Sequence, residues 1–148
     1  MSSKFPIAYI DVRAFAHATE DTDKVLKAIQ NTLPTKLIET INVAKTSLAG
    51  HHGNPITLYE TRIKEKTTTQ KVFEKISANL GIMDKELLSN EIQLHLENGN
   101  LYLRLDKQSA YLEETKLCQI DPIRFRIHFK NSKTQQVIEI CRKHGLLP

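Results

Sequence analysis

Tryptophan is absent from this chain, and cysteine occurs only twice, at Cys118 and Cys141. Two distant cysteines with no C-x-x-C exclude a zinc knuckle and a disulfide framework. No apolar run approaches the ~18 residues of a membrane span, and no signal-peptide core follows Met1-Ser2-Ser3-Lys4-Phe5-Pro6. An intracellular, cytoplasmic protein is therefore expected. Five glycines and five prolines in 148 residues leave no Pro- or Gly-rich linker, so residues 1–148 read as one domain. Missing too are a Walker loop, G-x-G-x-x-G, G-x-S-x-G and H-E-x-x-H. No cofactor and no metal site are expected. A metal centre from His17, His51 and His52 would need further ligands that the sequence does not place.

What is present is an uneven charge. From Pro122 onward, six basic residues (Arg124, Arg126, Lys130, Lys133, Arg142, Lys143) face one acid, Glu139, while the rest of the chain has 15 basic and 16 acidic residues. The net charge of +4 is thus concentrated in one strand and the helix after it. Such local basicity suits a polyanion, although a solvated surface face would look the same.

The hydrophobic periodicity alternates between two and 3.6. Ile7 to His17 alternates, with Ala8, Ile10, Val12, Ala14 and Ala16 expected toward a core and Tyr9, Asp11, Arg13, Phe15 and His17 away from it. Thr19 to Asp23 offers caps for a helix carrying Val25, Leu26, Ile29 and Leu33, stopped by Pro34. Leu37 to Leu48 and Ile56 to Lys66 read as strands, the second with a bulge to reconcile Leu58 with Ile63. Thr67 to Leu80 reads as a Thr-capped helix ended by Gly81, and Met83 to Leu88 as a further short turn. Ile92 to Glu97 and Leu101 to Leu105 read as a hairpin about Asn98-Gly99-Asn100. Asp106 caps a short helix to Leu112. Ile123 to Phe129 is the last strand, and a helix over 132–144, with Cys141 on its apolar stripe, forms a C-terminal extension over 131–148. The sum is an α+β fold: two layers, a mainly antiparallel sheet with helices packed on one face.

The other sheet face should then show Tyr9, Arg13, Phe15, His17, His95, Tyr102, Arg104, Arg124, Arg126, His128 and Lys130. Rings and guanidinium groups interleave there, a mix that binds RNA by stacking on bases and holding phosphates. The bland alternative is long side chains shielding an exposed sheet. Between two strands lies Gly50-His51-His52-Gly53-Asn54-Pro55-Ile56. Its glycines permit positive φ. His51, His52 and Asn54 are candidate RNA contacts, or simply the polar groups of a shaped turn. Two imidazoles, His17 with His51 or His52, could also share acid and base work in a ribonuclease or RNA-modifying enzyme.

Three segments resemble an archaeal family of small RNA-binding proteins described as predicted exosome subunits. They are Ala14-Phe15-Ala16-His17-Ala18-Thr19-Glu20-Asp21 with Lys24 to Ala28, the glycine-histidine loop, and Asn98 to Gln108. The resemblance spans roughly Phe5 to Lys130. It implies RNA binding linked to RNA processing or degradation, and a fold similar to the large-subunit ribosomal protein that holds the smallest ribosomal RNA. It also directs attention to Arg104 and Lys107 as phosphate contacts, and to His17 through Asp21 as a helix cap. The expectation is a non-catalytic RNA-binding protein, with RNA and an exosome or other RNA-processing complex as partners. A protein-interaction adaptor is the third reading.

Overall fold

The computed structural model describes residues 6–50, 53–130 and 133–148. Strand β1 (Ile7–Ala16) is followed by α1 (Thr22–Asn31), a 3-10 turn (Thr35–Thr40), β2 (Ala44–Ala49), β3 (Pro55–Ile63), α2 (Lys66–Asn79) and α3 (Ile82–Asn90). Then come α4 (Ile92–His95), β4 (Leu96–Glu97), β5 (Asn100–Leu105), α5 (Lys107–Tyr111), β6 (Ile123–Phe129) and α6 (Thr134–Lys143). The strands form one sheet in the order β2-β3-β1-β6-β5-β4, antiparallel at every pairing. This is the two-layer α+β arrangement that the alternating patterns predict.

Strand β1 sits in the middle, paired with β3 on one side and β6 on the other. Ile10, Val12, Ala14 and Ala16 of β1 enter the core with Leu101, Leu103 and Leu105 of β5 and Ile123, Phe125, Ile127 and Phe129 of β6. Against them pack Val25, Ala28 and Ile29 of α1, Val72, Phe73 and Ile76 of α2, and Val137, Ile138 and Cys141 of α6. Cys141 is a buried free thiol, and burial pushes its pKa up to about 12. Helix α6, Leu146 and Leu147 belong to the same buried cluster as the sheet.

Several boundaries depart from the sequence expectation. The register of β1 against β6 shifts between Ile7 and Tyr9, so Ile7, not Ala8, is the buried residue at that end. Strand β3 has no bulge: its register with β1 runs unbroken from Ile63 to Thr57. Tyr59, not Leu58, shares the core face with Ile63, and its hydroxyl donates to the Thr22 carbonyl (3.2 Å). Leu58 lies opposite Phe15 on the far face. The expected strand from Leu37 begins instead as the 3-10 turn, because Leu37, Ile38 and Ile41 recur at helical spacing after Pro34, and Ile38 and Ile41 pack against the core.

The first arm of the expected hairpin is mostly helix. Ile92 is buried while Leu94 is 82% exposed, so their alternation does not mark one buried face. Only Leu96 and Glu97 pair with β5. The turn is tighter than the expected Asn98-Gly99-Asn100: Asn100 already pairs with Glu97, and Asn98 (φ 52°) and Gly99 (φ 81°) adopt the paired positive φ of a two-residue hairpin. Helix α2 is capped by Glu65, which accepts from the Thr68 amide, rather than by a threonine. Asp106 caps α5 through the Ser109 amide and hydroxyl.

Both glycines of the loop before β3 are needed, for different reasons. Gly53 sits at φ 76°. Gly50 is required by space: its amide donates to the Asn54 carbonyl (2.6 Å), and a Cβ there would lie 2.6 Å from Ile56 Cδ1 and 2.8 Å from Asn54 O. His51 and His52 lie outside the described residues. Gly53→Ala should destabilise by roughly 1 kcal/mol from the backbone conformation. Gly50→Ala should cost about 1–3 kcal/mol from overpacking. Urea unfolding of the two variants measures both, and a neutral Gly50→Ala would show that the loop can open without cost.

Candidate nucleic-acid interface

The sheet register fixes what the helix-free face displays. Across it, Arg13 on β1 is directly opposite Arg124 on β6, and Arg124 is directly opposite Arg104 on β5. Glu60 on β3 closes this row, with its carboxylate 3.6 Å from Arg13. Arg104 and Arg124 are exposed, as is Arg13. Arg104 donates to the Gln119 side-chain carbonyl (3.2 Å). Like charges directly opposite one another destabilise a sheet, so a row of three guanidinium groups is a cost that packing does not explain.

The next row is Arg62, Asp11, Arg126 and Tyr102. Asp11 accepts two hydrogen bonds from Arg62 (2.7 and 2.9 Å) and one from Arg126 (2.6 Å). Partial burial pushes the Asp11 carboxyl up, but hydrogen bonds and charge from Arg62 and Arg126 outweigh it and hold it below its ordinary value. The third row pairs Tyr9 with His128 and His128 with Asn100. The Tyr9 and His128 rings stack at 4.9 Å, His128 Nδ1 lies 2.8 Å from Asn100 Oδ1, and the Arg62 guanidinium covers Tyr9 at 4.1 Å. An open depression of about 770 Å³ is lined by Glu60, Arg13 and Arg124 of the first row and by the whole of the second.

The expected site residues therefore divide. Arg13, Arg104, Arg124, Arg126, Tyr102 and His128 share this face. Lys130 lies just past the end of β6, exposed, with its backbone amide bonded to Pro6. Asn54 is exposed in the loop before β3, remote in sequence pairing from the arginine row. His95 leaves the face altogether: it is on α4, with Nδ1 3.1 Å from the Tyr102 carbonyl.

Lys107 is not an open cation. Its ammonium donates to the Phe15 carbonyl, to Glu20 (3.1 Å) and to Asp121 (2.7 Å), and its side chain is only 12% exposed. It braces two of the signature segments against each other. His17, expected to reach RNA, lies at the same junction with Nε2 3.2 Å from Asp121. Glu20 also accepts from the His17 amide, and Asp21 caps α1. Ligand atoms of His17, Glu20 and Asp121 lie within 4.8 Å of one another, but the Lys107 ammonium already bridges the two carboxylates. Sequence reasoning missed Arg62 as a member of the face. Its parity becomes legible only once β3 is free of a bulge.

A family described as RNA binding matches residues 9–129. The chain belongs to this RNA-binding family. Among its relatives, an RNA-binding protein of Pyrococcus abyssi is 32% identical over 148 residues, covering 97% of this chain and 96% of that one. A protein of Methanocaldococcus jannaschii is 34% identical over 139 residues, 88% of this chain and 93% of its own. The crystal structure of a protein from Archaeoglobus fulgidus aligns with a TM-score of 0.77 at 29% identity, covering 93% of this chain and 99% of that one. The family match begins at Tyr9 and ends at Phe129, so it contains every arginine of the two rows. Among the described residues, no helix is long and apolar enough to cross a membrane.

The lowered Asp11 pKa makes this family member's stability pH-dependent. A carboxylate depressed in the folded state contributes stability above its unfolded value, near the ordinary 3.8, that is lost as pH falls through the folded value. Unfolding midpoints should therefore drop from about pH 4 downward, and Asp11→Asn should flatten that part of the profile. An equal acid slope in Asp11→Asn would mean that other carboxylates, Asp106 and Glu65 among them, account for all of it.

Proposed function

We propose that the protein binds RNA across the open face of its sheet, with Arg13, Arg104 and Arg124 as the phosphate contacts, and that it acts without catalysing turnover. The row of three arginines in register carries this reading. A polyanion is the ligand that repays their mutual repulsion, and phosphate neutralisation with counterion release supplies most of such binding. Tyr9 contributes less by base stacking than its exposure on a strand implies, since Arg62 lies over its ring and His128 stacks with it. Tyr102 and Phe15 are further aromatics of this face.

The setting we propose is RNA processing or degradation in the cytoplasm, with an exosome or related assembly as partner. The three signature segments support it. So does the antiparallel α+β sheet, consistent with the ribosomal-protein-like fold that the resemblance implies.

The test is the salt dependence of binding to a labelled single-stranded RNA. Replacing Arg13, Arg104 and Arg124 together by Ala should shallow the log-affinity against log-salt slope by about 0.7 per lost contact, roughly 2 in all. The RNA should be recovered intact after incubation. An unchanged slope would move the site off this face. Cleavage that disappears with His51→Ala, His52→Ala would replace the binding reading with an enzymatic one.

A further inference from the structure

We propose that Asp11, the acid at the centre of a basic face, is a positioning residue for RNA binding, orienting Arg62 and Arg126 toward phosphate. The proposal rests on the reading of that face as the RNA site and adds a role that charge alone would not assign. On a surface that binds a polyanion, a carboxylate should simply repel, and its removal should help.

The geometry argues the opposite. Asp11 holds Arg62 through a two-pronged contact to Nε and Nη2 and holds Arg126 through its Nη2. A fork of this kind fixes the plane of the guanidinium as well as its place. Both arginines remain substantially exposed, 45% and 40% of their side chains, and both line the open depression with Arg13 and Arg124. Their charge is therefore presented to solvent from a fixed frame. Arg62 spends two N–H groups on Asp11 and keeps others for a ligand. The fork also lays Arg62 across Tyr9 at 4.1 Å, and Tyr9 rests on His128. Five side chains on three strands thus lock one another.

Holding two arginines in advance removes the ordering cost that binding would otherwise carry. The repulsion from one partly shielded carboxylate is weak by comparison, because salt screens it over about 8–10 Å and two cations sit on it.

Fluorescence anisotropy with a labelled RNA of about 20 nucleotides tests this, with thermal unfolding to confirm that each variant folds. Asp11→Asn should bind about 5- to 10-fold more weakly than the native protein, although its net charge rises by one. The loss should be the same at every salt concentration, since the cations remain and the ordering cost is not electrostatic. Arg62→Lys keeps the charge and loses the fork, and should weaken binding by a similar factor. Asp11→Glu, which keeps a carboxylate, should stay within about threefold of native. Equal or tighter binding by Asp11→Asn, or native binding by Arg62→Lys, overturns the proposal. If Asp11→Asn fails to fold, Arg62→Lys decides alone. Arg124→Ala separates the two levels. If it weakens binding while Asp11→Asn strengthens it, the face is the RNA site and Asp11 only repels. If Arg124→Ala also binds like native, the reading of the face itself is wrong.

Discussion

The structure depends on one constraint: β1 is a central strand, and every second side chain along it must leave the core. Ile10, Val12, Ala14 and Ala16 are each at most 1% exposed and carry the helices. Asp11 and Arg13, between them, are then forced onto the opposite face. Pairing with β3 and β6 on both sides copies that division outward, so Arg62 and Glu60 on β3 and Arg124 and Arg126 on β6 must join them. The basic face is a consequence of register, because a slip of one residue would bury every one of these charges.

That face is organised by two kinds of charge contact. Asp11 draws Arg62 and Arg126 together and pins the sheet's middle across three strands. Arg13, Arg124 and Arg104 do the reverse, standing opposite one another, with Glu60 beside Arg13. The first arrangement stabilises the protein and fixes side chains. The second sets like charges against one another across three strands. Lys107 provides a third, separate link at the end of β1, where it ties Phe15, Glu20 and Asp121. It thereby joins the chain after β5 to the turn before α1, and its charge is spent inside the protein.

Much of this was legible in the sequence. Alternation in Ile123 to Phe129 gave both faces of β6, and helical spacing gave α1, α2 and α6. Asp106 and Asn98-Gly99 marked a cap and a turn through local backbone chemistry. What failed was short apolar segments whose partners are distant. Ile92, Leu94 and Leu96 alternate like a strand, yet Ile92–His95 forms the separate short helix α4. Ile38, Ile41 and Val43 are β-branched, yet Leu37 to Thr40 fall within the 3-10 turn that follows Pro34. In the site, residue type and parity placed Arg13, Arg104, Arg124 and Arg126 on one face. They could not show that Lys107 turns inward, since Glu20 and Asp121, which hold it, lie 87 and 14 residues away. Nor could they show that Arg62 and His128 both pack against the Tyr9 ring.

The central claim is that RNA lies on the helix-free face of the sheet. Titrating RNA into isotope-labelled protein and following amide and guanidinium NMR resonances tests it most directly. The account predicts that shifts concentrate at Arg13, Arg62, Tyr102, Arg104, Arg124 and Arg126, while α1, α2 and the buried stripe of α6 stay still. Shifts centred on the exposed residues of α6 or of α3, with the arginine rows unchanged, would contradict it.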